Sequence, residues 1–483
     1  MISSNFLKSS FVYTLGGALP MVASIVLLPF YTNYLNSLHF LQVGFYISIS
    51  LLFQIFFTFS LDTYFGVKYT QLHEQPQKQK EFIGTTAYLL VLLGVLWMLV
   101  TVLSGPYLMR QIFRSDYEMN FWPYGFYSVL TAFFNAYFKT ATNCLIYLKK
   151  PLLFLVLNII NMAVTLAVSV GGLFLFPDSI IGPMYGRLLS GVVIFLLAHL
   201  VYSKYGTFHF DRTYLPDIYK FCFPFLFYVL SGWVLSGIDR FMLQQYIDKV
   251  DLNTYDLVLK CFFGIEFLQN SLSAIIFPKI YDIWSKQKTL ATTTESNRYF
   301  NVFTVFNVGQ LIAFCIFLPL LYKLIITAGS FHEASAYIGI LATGYAFRSI
   351  LNFYLSTILF TRNTSLLLKI FGITAIIQIV VTYFTSQHFG LMGVIYTGIS
   401  VRFIQVLLSA YFTKGIFRYE FNFFKIYALP LIYVIINILQ FQFFPEYDIR
   451  LYLLQMLAFS AIVYLLFKKE IRQVLLQFKV IKA

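Results

Sequence analysis

Apolar runs of about 20 residues follow one another along almost the whole of this 483-residue chain, and a run of that length crosses the hydrocarbon core of a bilayer as a helix. The runs are continuous. An outer-membrane barrel needs strands of roughly 10 residues with period-two alternation, which the sequence does not show, so helices remain as the way to satisfy backbone groups in lipid. Composition agrees: 59% of residues are apolar and 11% are charged, against about a quarter charged in a soluble domain. The expected fold class is an all-α integral membrane protein.

Windows of about 19 residues place spans near 9 to 34, 40 to 64, 83 to 103, 122 to 147, 152 to 176, 181 to 202 and 218 to 238. A second set falls near 256 to 277, 300 to 322, 335 to 360, 366 to 386, 391 to 412, 426 to 443 and 450 to 467, about 14 helices in all. Segment 9 to 34 has no small-residue cleavage site after a short core, so it reads as a first helix that is retained. The connections are short, which leaves no room for a soluble catalytic domain between the spans.

The formal charge of +14 could suggest nucleic acid as a partner, but its distribution follows the loops. Alternate loops and the two ends carry 22 Lys and Arg, including Lys68, Lys78, Lys80, Lys149, Lys150, Arg362, Lys479 and Lys482, while the opposite loops carry 5. Basic residues mark cytoplasmic loops, so both termini are expected in the cytoplasm and nucleic acid is not expected as a partner. Seven bases then remain at membrane depth, Lys139, Arg187, Arg240, Lys260, Arg348, Lys369 and Arg402, against three acids, Asp62, Asp239 and Glu266.

A cation costs about 2.5 to 3.5 kcal/mol at the centre of a spanning helix, so it usually faces protein or a water-filled path. Lys369 and Arg187 lie near predicted span ends and read as snorkelling or structural. Arg348 and Arg402 lie near span centres and read as functional. Asn135, Lys139 and Asn143 share one helix face, as do Tyr345, Arg348, Asn352 and Ser356, because residues three and four apart are neighbours on a helix. Ser50, Gln54, Thr58 and Asp62 form a third stripe, and Glu266, Gln269, Asn270 and Ser273 a fourth. Glu266 is either a counter-ion for a buried base or a site that takes up a proton or cation. Asp239 and Arg240 adjoin a span end and read as a surface ion pair or helix-end anchor.

Sliding the chain on itself suggests a repeat. At an offset of 212 Gln54 meets Glu266 and Thr58 meets Asn270; at 213 Asn135 meets Arg348, Lys139 meets Asn352 and Lys149 meets Arg362. The expected organisation is a six-helix bundle over 1–213, a second over 214–420, and two additional helices with a basic tail over 421–483.

The six His, at 39, 73, 199, 209, 332 and 388, have no ligand spacing, and Cys144, Cys222, Cys261 and Cys315 sit in apolar runs, which reads as packing rather than metal binding. There is no G-x-x-x-x-G-K-[ST], G-x-G-x-x-G or H-E-x-x-H motif. No catalytic or metal-binding residue is expected.

The opening FLKSSFVYTLGGALPMVASIVLLPFYTNYL (Phe6 to Leu35) and LDTYFGVKY (Leu61 to Tyr69), with YKFCFPFLFYVLSGWVLSGIDRFML (Tyr219 to Leu243), AIIFPKIY (Ala274 to Tyr281) and YIGILATGYAFRSILNFYLSTILF (Tyr337 to Phe360), carry a resemblance. The chain resembles the polysaccharide transporter family, the Wzx-type oligosaccharide flippases of the MOP superfamily, whose relatives include MATE exporters and lipid II flippases. Lys68 stands where family members commonly have Arg, which keeps the charge and loses the planar fork.

The resemblance implies a MATE-like fold of two six-helix bundles around a cationic central cavity, with the last two helices outside. It implies a protein of the bacterial cytoplasmic (inner) membrane that is not an enzyme. The implied cargo is an undecaprenyl-pyrophosphate-linked oligosaccharide for surface polysaccharide, moved from the cytoplasmic to the periplasmic leaflet by alternating access. Membrane lipid, a polysaccharide polymerase and a chain-length regulator are candidate partners. On this reading Arg348, Lys139, Asn135, Asn352 and Arg402 bind substrate, while Glu266 and Asp62 serve as ion-coupling or counter-ion residues. No cofactor is expected, and coupling to H+ or Na+ stays open. The rival readings are a MATE-like multidrug exporter, which would want acids rather than bases in its cavity, and a membrane-embedded glycosyltransferase or polymerase, which would want larger loops.

Overall fold

The long apolar runs are helical throughout. The computed structural model describes residues 4–207, 209–287, 289–325 and 334–477; His332, Lys479, Lys482 and Lys288, the last also one of the 22 loop bases, lie outside them. The first seven helices are α1 (Ser4–Tyr34), α2 (Ser37–Thr58), α3 (Leu61–Gln71), α4 (Pro76–Ile112), α5 (Phe126–Tyr147), α6 (Pro151–Leu175) and α7 (Ile181–Tyr205). Then come α8 (Leu215–Leu243), α9 (Lys249–Cys261), α10 (Phe263–Ser285), α11 (Thr294–Ile325), α12 (Ala334–Phe360), α13 (Thr364–Thr413), α14 (Leu429–Phe443) and α15 (Ile449–Gln477). No strand occurs among the described residues; a single bridge joins Ala291 to Arg418.

Eleven of the described helical segments are long and apolar enough to cross a membrane, fewer than the fourteen spans expected. The difference has physical causes. Helices α5 and α12 carry the polar stripes, which lower their apolar content below that of an ordinary span. The expected eleventh and twelfth spans run together as α13, a 50-residue element interrupted only at Gly390, which has φ +53°. Conversely, the expected second span is two helices, α2 and α3, separated where Phe59 and Ser60 take φ of 48° and 57°, and the expected eighth span is built from α9 and α10.

Two compact units result, residues 1–256 with 371–394 and residues 257–370 with 395–483. In the first, α6 and α7 meet backbone to backbone: a methyl group on Gly182 would stand 2.7 Å from the carbonyl carbon of Gly172, the close approach that small residues permit between helices in lipid. In the second, α12 packs against α11 and α14.

The sequence repeat has a backbone counterpart. Helices α5 and α12 end on Tyr147 and Phe360, 213 residues apart, and then pass through Lys149 and Arg362, both non-glycine residues at φ 56°. The closing bonds match: Lys149 and Lys150 donate to the Ile146 and Leu145 carbonyls, Arg362 and Asn363 to those of Leu359 and Ile358. Asp178, between α6 and α7, has φ 52°, and its partner at offset 212 is Gly390. The connection after α7 is pinned to the start of α4, Thr207 donating to the Lys80 carbonyl at 3.1 Å, as the segment after α13 is pinned ahead of α11, Arg418 donating to that of Leu290 at 2.8 Å.

Candidate functional site

The polar stripes on α5 and α12 fall where the i, i+4 spacing puts them, and in each unit the stripe meets a complementary one. In the first unit Lys139 Nζ of α5 lies 2.8 Å from Asp62 Oδ2 of α3. Asp62 is nearly buried, whereas the Lys139 side chain keeps half its exposure, as a long cation does when its stem is packed and its head is open. One turn on, Asn143 donates to the Asp62 carbonyl at 3.3 Å. Asn135 lies one turn before Lys139 on the same face and is half-buried.

In the second unit the partners are α10 and α12. Arg348 Nη2 donates to Asn270 Oδ1 at 2.7 Å, and Nη1 stands 3.4 Å from Glu266 Oε1. Asn352, a turn further, donates to Ser273 Oγ at 3.4 Å. On α13, the Arg402 guanidinium lies over the Tyr345 ring at 4.6 Å, a cation–π contact, and a methyl on Gly344 would come within 2.8 Å of Arg402 Nη1. Behind this row, Gln269 donates to Asn307, whose amide in turn donates to the Tyr345 and Ala346 carbonyls.

The repeat relates the two ladders with an exchange of charge. The level of Arg348 and Glu266 corresponds to Asn135 and Gln54, which are neutral; the level of Lys139 and Asp62 corresponds to Asn352 and Ala274, also neutral.

The structure corrects the sequence reading of a third charged group. Asp239 and Arg240 are not a surface ion pair or a helix-end anchor: both lie in the interior of the first unit, and each has its own partner. Arg240 Nη1 is 2.8 Å from Asp256 Oδ1 and donates to Ser48 Oγ at 2.9 Å. Asp239 accepts from Tyr255 at 3.1 Å and from Gln378 at 2.7 Å. Asp256 escapes the sequence reading because a span starting near 256 leaves it at a boundary, whereas α9 begins at Lys249 and carries it into the helix. Asp256 therefore joins the buried acids, and Lys139, Arg240 and Arg348 each have a carboxylate within 4 Å.

The geometry defines a class. It matches a structure described as the lipid II flippase MurJ in an inward closed conformation, with TM-score 0.73, 13% identity, 95% of this chain and 100% of that one covered. It also matches the MATE multidrug transporter DinF-BH, with TM-score 0.64, 12% identity, 86% and 96% covered. A MATE transporter of the MOP superfamily in an inward-facing conformation matches with TM-score 0.60, 12% identity, 82% and 98% covered. No family model and no curated protein sequence matches the chain. The chain is a multi-pass helical membrane protein, and its fold is the one shared by MurJ and the MATE transporters.

Proposed function

We propose that this protein is a flippase that moves an undecaprenyl-pyrophosphate-linked oligosaccharide from the cytoplasmic to the periplasmic leaflet by alternating access, in the inner membrane with both termini cytoplasmic. The observation that carries the reading is Arg348, a guanidinium held at membrane depth by a neutral amide at 2.7 Å and only 27% exposed. A diphosphate needs such a donor, because a planar fork binds phosphate oxygens in pairs and a partly dry site strengthens the contact. Lys139 supplies a second cation, half-exposed above Asp62, and Asn135, Asn352 and Arg402 supply further polar contacts for phosphate or sugar hydroxyls. The fold shared with a lipid II flippase supports a lipid-linked cargo whose tail stays in the bilayer. The pairing of Glu266 with Arg348 and of Asp62 with Lys139 favours counter-ion roles for both acids.

Removing one partner of a buried charge-assisted contact costs roughly 2 to 5 kcal/mol, a loss of tens to thousands of fold in binding. Arg348→Ala should block export while the protein still inserts, and undecaprenyl-linked oligosaccharide should accumulate in the cytoplasmic leaflet; Arg348→Lys should recover part of the activity. The assay measures leaflet distribution of the lipid-linked sugar alongside efflux of a cationic dye. Normal sugar translocation in the Arg348→Ala, Lys139→Ala double variant would overturn the reading, and dye efflux with no sugar phenotype in a null strain would make the protein a drug exporter.

A further inference from the structure

Three ion pairs between helices differ in a way that separates their roles. Arg240 and Asp256 are 2.8 Å apart with side chains 12% and 3% exposed, a closed pair with no route for a competitor. Lys139 and Asp62 are also 2.8 Å apart, and the acid is 10% exposed, so that only the lysine side is open. Arg348 and Glu266 are 3.4 Å apart, with both side chains between a quarter and a third exposed. A charge-assisted N–H to carboxylate bond is normally about 2.7 to 2.9 Å long, so this pair is the loosest of the three and the one accessible from both sides.

Arg348 has a second anchor besides Glu266. Its Nη2 donates to Asn270 at 2.7 Å, so the amide fixes the fork while the carboxylate occupies the other arm. At the offsets of the sequence repeat the corresponding residues, Asn135 and Gln54, are neutral. A carboxylate held by a long contact and partly exposed has the attributes of an exchangeable ligand.

We propose that Glu266 is an internal stand-in for the anion of the cargo: a phosphate group takes over the Nη1 arm of Arg348 by displacing the Glu266 carboxylate, and the carboxylate expels the phosphate when it returns. This rests on the flippase reading above and adds to it how release is driven. The exchange keeps Arg348 neutralised in both states, which avoids leaving a lone cation at membrane depth. It also makes Glu266 a weakener of binding, the opposite of what a substrate-coordinating or cation-coupling acid would be.

The test uses the full chain in lipid nanodiscs, with undecaprenyl pyrophosphate as the probe and equilibrium binding as the readout. Glu266→Gln keeps the shape and removes the competitor, so it should bind the probe about tenfold more tightly than the unmodified protein, with slower dissociation and slower lipid-linked sugar export. Arg348→Ala should weaken binding, and the Arg348→Ala, Glu266→Gln double variant should match Arg348→Ala alone, since the gain acts through the arginine. Glu266→Asp, a shorter acid, should give a smaller gain and serves if the Gln variant fails to fold, as judged by its gel-filtration profile. Binding by Glu266→Gln that is unchanged or weaker, with Arg348→Ala still impaired, overturns the exchange and leaves the anionic-cargo reading standing. Equal binding by Arg348→Ala and the unmodified protein overturns that reading itself.

Discussion

Lys149 and Arg362, 213 residues apart in the chain, leave their helices through the same left-handed turn, each at φ 56° with the same pair of closing hydrogen bonds. A side chain in this region costs about 1 to 2 kcal/mol relative to the right-handed conformation, and helix ends usually assign the position to glycine. Lys149→Gly and Arg362→Gly should therefore each stabilise the protein by about 1 kcal/mol, while Lys149→Val and Arg362→Val should destabilise it. Thermal unfolding midpoints of the four variants in detergent check this, and opposite signs at the two sites would mean that the turns are not equivalent.

The Arg240–Asp256 pair is a structural contact at 2.8 Å, with Asp256 buried and Arg240 nearly so. Removing one member of such a pair leaves an uncompensated charge and costs about 3 to 5 kcal/mol, whereas replacing both with apolar residues of similar volume is often neutral. Asp256→Ala should reduce the amount of folded protein sharply, and Arg240→Met with Asp256→Leu should restore most of it. Fluorescence-detected gel filtration of tagged variants measures both, and failure of the double variant to recover would show that the charges themselves are required.

The Asp178 carboxylate predicts a pH effect. Partial burial pushes this group up, but bonds from the His39 ring, the Asn36 backbone amide and the Asn36 side chain outweigh it and hold the carboxyl below its ordinary range. A depressed acid contributes stability that is present above the ordinary Asp value of about 3.9 and is lost as pH falls through the lower native value. The unfolding midpoint of the unmodified protein should exceed that of Asp178→Asn at pH 6, and the difference should shrink below about pH 4. A difference that grows on acidification would contradict the assignment.

The 22 to 5 division of loop bases predicts that a cysteine at Gln77 is protected from an impermeant reagent in whole cells and that one at Asp116 reacts. Both positions are exposed in the structure, so burial does not mask the result. Reaction at Gln77 with protection at Asp116 would invert the orientation.

Much of the architecture was legible because membrane spans announce themselves by length and apolarity alone. The polar faces of α5 and α12 were legible too, since i, i+4 spacing is local. Their partners were not: nothing near Lys139 in sequence points to Asp62, and only packing of α3 against α5 joins them. The breaks inside the second and eighth spans were hidden for another reason. Left-handed turns at Phe59 and Ser60 lack the glycine that marks such a turn, and the α9–α10 junction at Phe262 keeps right-handed backbone angles. Asp239 and Arg240 were misjudged because a boundary error of a few residues turned buried groups into surface ones.

The separation of paired charges along the chain also sets an order of biosynthesis. Arg240 and Asp256 lie on consecutive helices, so each emerges from the ribosome within a few seconds of its partner at ordinary elongation rates of about 5 to 20 residues per second. Glu266 precedes Arg348 by about eighty residues, roughly 4 to 16 seconds at the same rates. Helix α10 is thus synthesised several seconds before α12, and its acid waits through that interval for the arginine it pairs with in the finished fold.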